Sequence, residues 1–200
     1  MTVTGTAALD ERGLIARLRA VLAMPDASPP EPPGERRRAS VLVLADPGSD
    51  GLPLLFMLRS AELRFHPGQI AFPGGGEEPG DATVIDTALR EAREELGVPP
   101  DCVEVLGMLS PMITATSERW LTPVVGLQHG EWQVRGDNHE VAEWFRIPLT
   151  TLLRAPHTVR SLERNGVSRP VHFYEAEGRV IWGVSAAILH ELMARLGRDD

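Results

Sequence analysis

The sequence predicts an α+β fold on three observations. Apolar residues recur at helical spacing near both ends of the chain; strand-type runs dominate the middle; and one further helical segment is embedded among those runs. At 200 residues, 42% hydrophobic and 24% charged, the chain suffices for one domain with a real core.

The elements follow in order. Residues 9–23 place Leu14, Ile15, Leu18, Val21 and Leu22 on one helical stripe. This helix docks on its own domain or on a partner subunit. Pro25 to Arg38 carries five prolines and the run Arg36-Arg37-Arg38, an extended linker whose arginines read as solvated. Ser40 to Ala45 and Pro53 to Leu58 are β-type runs separated by a polar turn, and Phe72 to Gly80 is a Gly/Pro-rich loop. A helix is expected from Ala82 to Leu96, stopped by Gly97 and Pro99-Pro100. Val103 to Leu109, Leu121 to Leu127 and Glu140 to Arg146 are further strands. Pro148 to Leu153 reads as a short helix with proline in its first turn. A hairpin through Val171–Tyr174 and Arg179–Trp182 leads to a last helix, Val184 to Leu196. Trp120, Trp132, Trp144 and Trp182 fall among core or strand residues, and Cys102 reads as a small buried hydrophobe.

Composition removes several function classes. The 20 basic residues against 28 acidic ones leave a net charge of −8, and all 20 are arginine. Without lysine there is no P-loop, Schiff-base or pyridoxal chemistry, and an acidic chain lacks the footprint of a general nucleic-acid binder. A lone cysteine forms no internal disulfide and no four-cysteine zinc site. No signal peptide or membrane-spanning run is read, so the expected location is the cytoplasm, with a small-molecule substrate, no nucleic-acid or membrane partner, and a monomer or homodimer.

The chemistry concentrates in Arg90-Glu91-Ala92-Arg93-Glu94-Glu95-Leu96-Gly97. Glu91 is three residues from Glu94 and four from Glu95, so three carboxylates gather near a helix C-terminus, where like charge and the helix dipole both oppose them. A divalent cation reverses the sign of each term. A solvated face, with Arg90 pairing Asp86 and Glu94 four residues away, is the plainer reading of the helix alone. The preceding Phe72-Pro73-Gly74-Gly75-Gly76 tips the balance, because such a loop can offer carbonyl oxygens to a metal or amides to a phosphate.

Gly76 to Val98 resembles the Nudix box, G-x5-E-x7-R-E-U-x-E-E-x-G-U with U aliphatic. Gly76, Arg90, Glu91, Glu94, Glu95, Gly97 and Val98 fall on the pattern. Ala92 takes an aliphatic position, and Ala82 stands where the pattern has glutamate, with Asp81 one residue earlier as a stand-in. Leu58-Arg59-Ser60, Arg64, Gly68 and Phe72-Pro73-Gly74-Gly75 resemble the signature of the coenzyme A pyrophosphatase branch, L-L-T-x-R-S-x3-R-x3-G-x3-F-P-G-G; its L-L-T is Leu55-Phe56-Met57 here.

The resemblance implies an α/β/α sandwich, a mixed sheet between helices. The expected organisation is an N-terminal amphipathic helix (1–24), a linker (25–38) and a Nudix hydrolase domain (39–200). By resemblance Glu91, Glu94 and Glu95, with a backbone carbonyl of Gly75 or Gly76, hold Mg²⁺ or Mn²⁺, and Arg90 orients Glu91. Glu94, Glu95 or a later carboxylate takes the proton of the attacking water. Glu140 leads among the later ones, with Asp137, Glu143 and Glu118 behind it, and Glu143 reads equally as an exposed strand residue. Arg59, Ser60, Arg64, His66 and Gln69 are the candidate substrate residues. The implied reaction is hydrolysis of coenzyme A or its thioesters. The competing readings are another nucleoside diphosphate derivative (ADP-ribose, a dinucleotide, a damaged nucleotide) or a non-catalytic binding module.

Overall fold

Leu42 and Leu44 on β1 (Arg38–Ala45) point to one side of the strand, and Val43 and Ala45 to the other; all four are buried. On β2 (Pro53–Arg59), Leu55 and Met57 share the first side, and Leu54 and Phe56 the second. Strands apolar on both faces must be covered twice, and the computed structural model, which describes residues 10–22, 29–134, 139–164 and 166–198, shows how. α2 (Val84–Leu96) lays Val84, Ala88, Ala92 and Leu96, one turn apart, on the first side. α1 (Glu11–Val21) and α4 (Val184–Arg195) cover the second with Leu14, Leu18, Ile188, Leu189 and Leu192. The expected sandwich of a mixed sheet between helices is what forms, and α1 docks on its own domain.

The remaining strands of this eight-stranded sheet are β3 (Ile70–Ala71), β4 (Gly74–Gly76), β5 (Val103–Met108), β6 (Met112–Ile113), β7 (Trp120–Gln128) and β8 (Val141–Pro148). β1 runs parallel to β7, from Arg38 opposite Trp120 to Ala45 opposite Leu127. β2 is antiparallel to β3 and β8, and β7 to β5 and β6. β1 and β2 meet at Ala45 and Leu54; at the other end of β1 its partner is β4, with Ser40 opposite Gly75. The sheet therefore forks, and the glycine strand lies in the fork. β9 (His157–Arg164), β10 (Val167–Ala176) and β11 (Arg179–Trp182) form a separate antiparallel sheet, preceded by the single-turn α3 (Leu149–Leu152).

Several expectations are corrected. α2 begins at Val84, not Ala82, because the Thr83 hydroxyl accepts from the Asp86 amide while the Asp86 carboxylate accepts from the Thr83 amide. The glycine loop contains a strand, which glycine propensity alone does not favour; pairing with β1 makes it. Pro148 precedes α3 as its cap instead of occupying its first turn. β9 has no counterpart in the sequence reading, since its Val159 and Leu162 are exposed and leave no buried alternation to detect. Arg38 belongs to β1 and pairs with Glu31, so the arginine run is not wholly solvated. None of the four tryptophans is fully buried, Trp144 and Trp182 are exposed, and Cys102 is only half-buried. The helix and linker expected over 1–24 and 25–38 lie partly outside the described residues.

Gly74 lies so close to β1 that a Cβ there would stand 2.6 Å from both Cα and Cγ1 of Val41, and nearer still to the Ser40 carbonyl. Gly74→Ala is therefore expected to cost about 1–3 kcal/mol, as overpacking does. Urea unfolding checks this: the midpoint falls while the m-value stays unchanged.

Candidate active site

Glu91 and Glu95 lie one helical turn apart on the side of α2 that faces β4. Glu95 is buried, its side chain 5% exposed, and its Oε2 accepts a 2.8 Å hydrogen bond from the Gly74 amide. Burial pushes this carboxyl up to about 8; the Gly74 amide and Arg59 pull against that rise, while Glu91 and Glu140 add to it. Glu91 lies against Gly75, where a Cβ would run into its carboxylate. Burial raises its pKa too, against the opposing pull of Arg90. Glu94 points outward, 57% exposed, with Oε2 3.2 Å from Arg90 Nη1. The three carboxylates therefore do not share one surface: two are turned in and one out.

Arg90 ties these pieces together. Its Nη2 donates to the Gly76 carbonyl at 2.8 Å, its Nε and Nη2 donate to Asp81 at 3.0 Å, and its Nη1 reaches Glu91 at 3.1 Å and Glu94. The expected Asp86 partner is a correction: Asp86 is committed to the helix cap. Asp81 takes its place, also accepting from the Thr87 hydroxyl and the Glu78 amide, and the Arg90 guanidinium holds its carboxyl below the usual range. A carboxylate one residue before Ala82 thus reaches the arginine of the helix.

Arg59, at the end of β2, stands between two of the acids, with Nη1 3.7 Å from Glu95 and Nη2 3.7 Å from Glu140. Its Nε is buried without a hydrogen-bond partner. Glu140 arrives because β8 pairs with β2, Val141 opposite Arg59, and its carbonyl accepts from the Ser60 amide. The structure thus brings Glu91, Glu95, Glu140, Arg59 and Arg90 together beside β4.

The other candidates are placed differently. The Ser60 hydroxyl accepts from the Glu62 amide and shapes a turn; His66 Nδ1 and Gln69 Oε1 bond each other at 2.8 Å; Arg64 lies over the exposed Phe65 ring. Glu143 is an exposed strand residue paired with Arg179 at 2.6 Å, and Glu118 sits at positive φ in the turn before β7. Asp137 lies outside the described residues.

Sequence reasoning missed Arg119. Ala39 of β1 faces Gly76 on one edge and Leu121 on the other, so the residues before β7 flank the glycine strand. The Arg119 guanidinium occupies the space where a Gly76 Cβ would go. Only that three-strand register, invisible in the linear order, announces it.

Carboxylate and carbonyl oxygens are hard donors of the kind Mg²⁺ and Mn²⁺ prefer, and buried acids raised by desolvation gain from a cation beside them. The donor set therefore fits a divalent ion. Comparison with known proteins shows the family. Residues 34–165 match the NUDIX domain model. A Citrobacter koseri protein described as the uncharacterized Nudix hydrolase NudL is 40% identical over 167 residues, 81% of this chain and 84% of that one. A Yersinia enterocolitica protein of the same description is 42% identical over 140 residues, 70% and 71% of the two chains. The crystal structure of a MutT/nudix family protein from Enterococcus faecalis shares the fold, with a TM-score of 0.51 at 18% identity over 85% of this chain and 65% of that one. The chain belongs to the Nudix hydrolase family, whose members cleave pyrophosphate bonds and generally use divalent metal ions.

The raised Glu95 pKa sets a pH dependence. The folded state keeps a proton that the unfolded chain releases near the ordinary carboxyl pKa, so metal-free stability falls as pH rises toward about 8. At about 1.4 kcal/mol per unit the loss amounts to a few kcal/mol. Thermal unfolding in EDTA is expected to show this decline and Glu95→Gln to flatten it. Mg²⁺ is expected to raise Tm more at pH 8 than at pH 6.

Proposed function

We propose that this chain hydrolyses the diphosphate of coenzyme A or its thioesters, releasing 4′-phosphopantetheine, free or acylated, and adenosine 3′,5′-bisphosphate. The observation that carries the reading is the position of Arg59. It belongs to the segment that resembles the coenzyme A signature, and its guanidinium stands 3.7 Å from Glu95 of the helix that resembles the metal box. The segment that would select the substrate and the helix that would act on it thus share a charge contact.

In this reading Glu91, Glu95 and, once it turns in from its exposed position, Glu94 would hold Mg²⁺ or Mn²⁺ together with the Gly76 carbonyl, which keeps a second lone pair beside its bond from Arg90. The bound ion supplies the positive charge that favours attack of water on a phosphorus and departure of the other phosphate. The chain's own groups do the rest. Arg90 fixes Glu91 through a charge-assisted hydrogen bond, so that it need not be ordered when substrate arrives. Arg59, and Arg64 beyond it, present guanidinium groups to phosphate oxygens. Ser60, His66 and Gln69 hold in shape the loop that follows Arg59 and carries Arg64. A water oxygen bonds to phosphorus as the bridging P–O bond breaks. The water's proton passes to Glu94, Glu95 or Glu140, and the leaving phosphate carries away the electron pair.

Mass spectrometry of the products tests the reading, with coenzyme A, ADP-ribose and a dinucleotide each incubated with Mg²⁺, Mn²⁺ or EDTA. Metal-dependent 4′-phosphopantetheine, formed far faster than the other products, is expected. The variant that removes the base, among Glu94→Gln, Glu95→Gln and Glu140→Gln, is expected to lose about 10²–10⁴-fold in kcat. Preferential cleavage of ADP-ribose or the dinucleotide overturns the coenzyme A assignment and leaves the metal helix standing. Ligand-dependent thermal stabilisation without turnover overturns catalysis itself and leaves a binding module.

A further inference from the structure

β9 and β10 pair so that His157 lies directly opposite Tyr174, and His172, two residues before Tyr174, points to the same face. α4 crosses that face and brings His190 onto it. The three imidazoles meet there. His157 Nε2 and His172 Nδ1 are 2.9 Å apart, and the His190 ring stacks on both, with centroids 5.2 Å and 4.2 Å away. Buried Tyr174 closes one side by stacking on His157 at 4.5 Å. One ring nitrogen from each histidine lies within 4.8 Å of the other two, and all three residues are half-buried, close enough to solvent for an ion to enter.

We propose that His157, His172 and His190 form a second metal site that takes one zinc-like divalent transition ion and pins the β9–β10 hairpin to α4. Zinc bonds imidazole nitrogen at about 2.0–2.1 Å in tetrahedral geometry, which sets neighbouring nitrogens roughly 3.3 Å apart. The 2.9 Å pair must open slightly and the 4.8 Å limit must close, changes that side-chain rotation supplies. The donor set is all imidazole nitrogen. It suits Zn²⁺, Co²⁺ or Ni²⁺ and not the oxygen-seeking Mg²⁺ or Mn²⁺, so the two sites sort ions by chemistry. On binding, the proton held between His157 and His172 moves to the other nitrogen of its own ring, so that all three imidazoles stay neutral, and a water takes the fourth position. The site uses none of the residues assigned to diphosphate hydrolysis, so either proposal can fail without the other.

The test is equilibrium dialysis of the full chain, free of added histidine tags, against Zn²⁺ with Mg²⁺ in excess to cover the carboxylates. One equivalent of Zn²⁺ per chain is expected, with affinity reduced about tenfold or more in His190→Gln and in His172→Gln. Unchanged affinity is expected in Glu95→Gln. Co²⁺ should give the intense visible absorption of a tetrahedral site, lost in the same histidine variants. If those variants fail to fold, the unmodified chain still decides: Zn²⁺ affinity must drop on acidification from about pH 7.5 to about pH 5.5, because protons and the metal compete for the same imidazole lone pairs. No bound Zn²⁺, equal binding by a folded histidine variant, loss of binding in Glu95→Gln, or affinity flat through that pH range overturns the proposal.

Discussion

The Arg90 guanidinium joins three pieces of chain at once: the end of the glycine strand at Gly76, the turn carrying Asp81, and the helix carrying Glu91 and Glu94. Each bond has an anion or a carbonyl on the accepting side, and an arginine, unlike a lysine, can serve several such acceptors from one fixed plane. Without it, Glu91 and Glu94 would repel each other one turn from the helix end, and the turn at Asp81 would carry a nearly buried carboxylate with only an amide and a hydroxyl to stabilise it. The capping box at Thr83 fixes where the helix starts; Arg90 fixes where the helix sits relative to the sheet.

Around that clamp the electrostatics run short of positive charge. Glu95 is buried, Glu91 is largely so, and Glu140 faces both from the edge of the sheet. Arg59 answers two of these acids from 3.7 Å, outside hydrogen-bonding distance, and the pKa of Glu95 stays high in spite of it. Such a site is stable when protonated and stable when it holds a cation, and costly in between. Carboxyls perturbed in this way, placed in an otherwise well-packed fold, mark a candidate functional site.

What the linear order could show follows from distance along the chain. The helix, its capped end, the two faces of β1 and β2 and the grouping of Glu91, Glu94 and Glu95 depend on residues within a few positions of one another, and periodicity exposes them. Which acids turn inward does not: Glu95 is buried because the glycine strand reaches it, and that strand exists only through its pairing with β1. Glu140 was legible as a candidate, but its partnership with Arg59 required the β2–β8 register. Arg119 and the three histidines were not legible at all, because each is placed by pairings between strands or between helix and sheet. β9 was missed for the opposite reason, since its side chains from Thr158 to Glu163 face solvent and carry no buried alternation.

The glycine strand has a parity. Its outer edge offers the helix the amide of Gly74 and the carbonyl of Gly76, two residues apart, while Gly75 faces β1. The acid of α2 meets a donor and its arginine meets an acceptor. Slide the strand by one residue and the edges exchange: Pro73 or Gly75 takes the place of Gly74, and Pro73 has no amide hydrogen to give. Between Pro73 and Gly76 the number of residues therefore decides which groups of the strand meet the helix, counted in units of two.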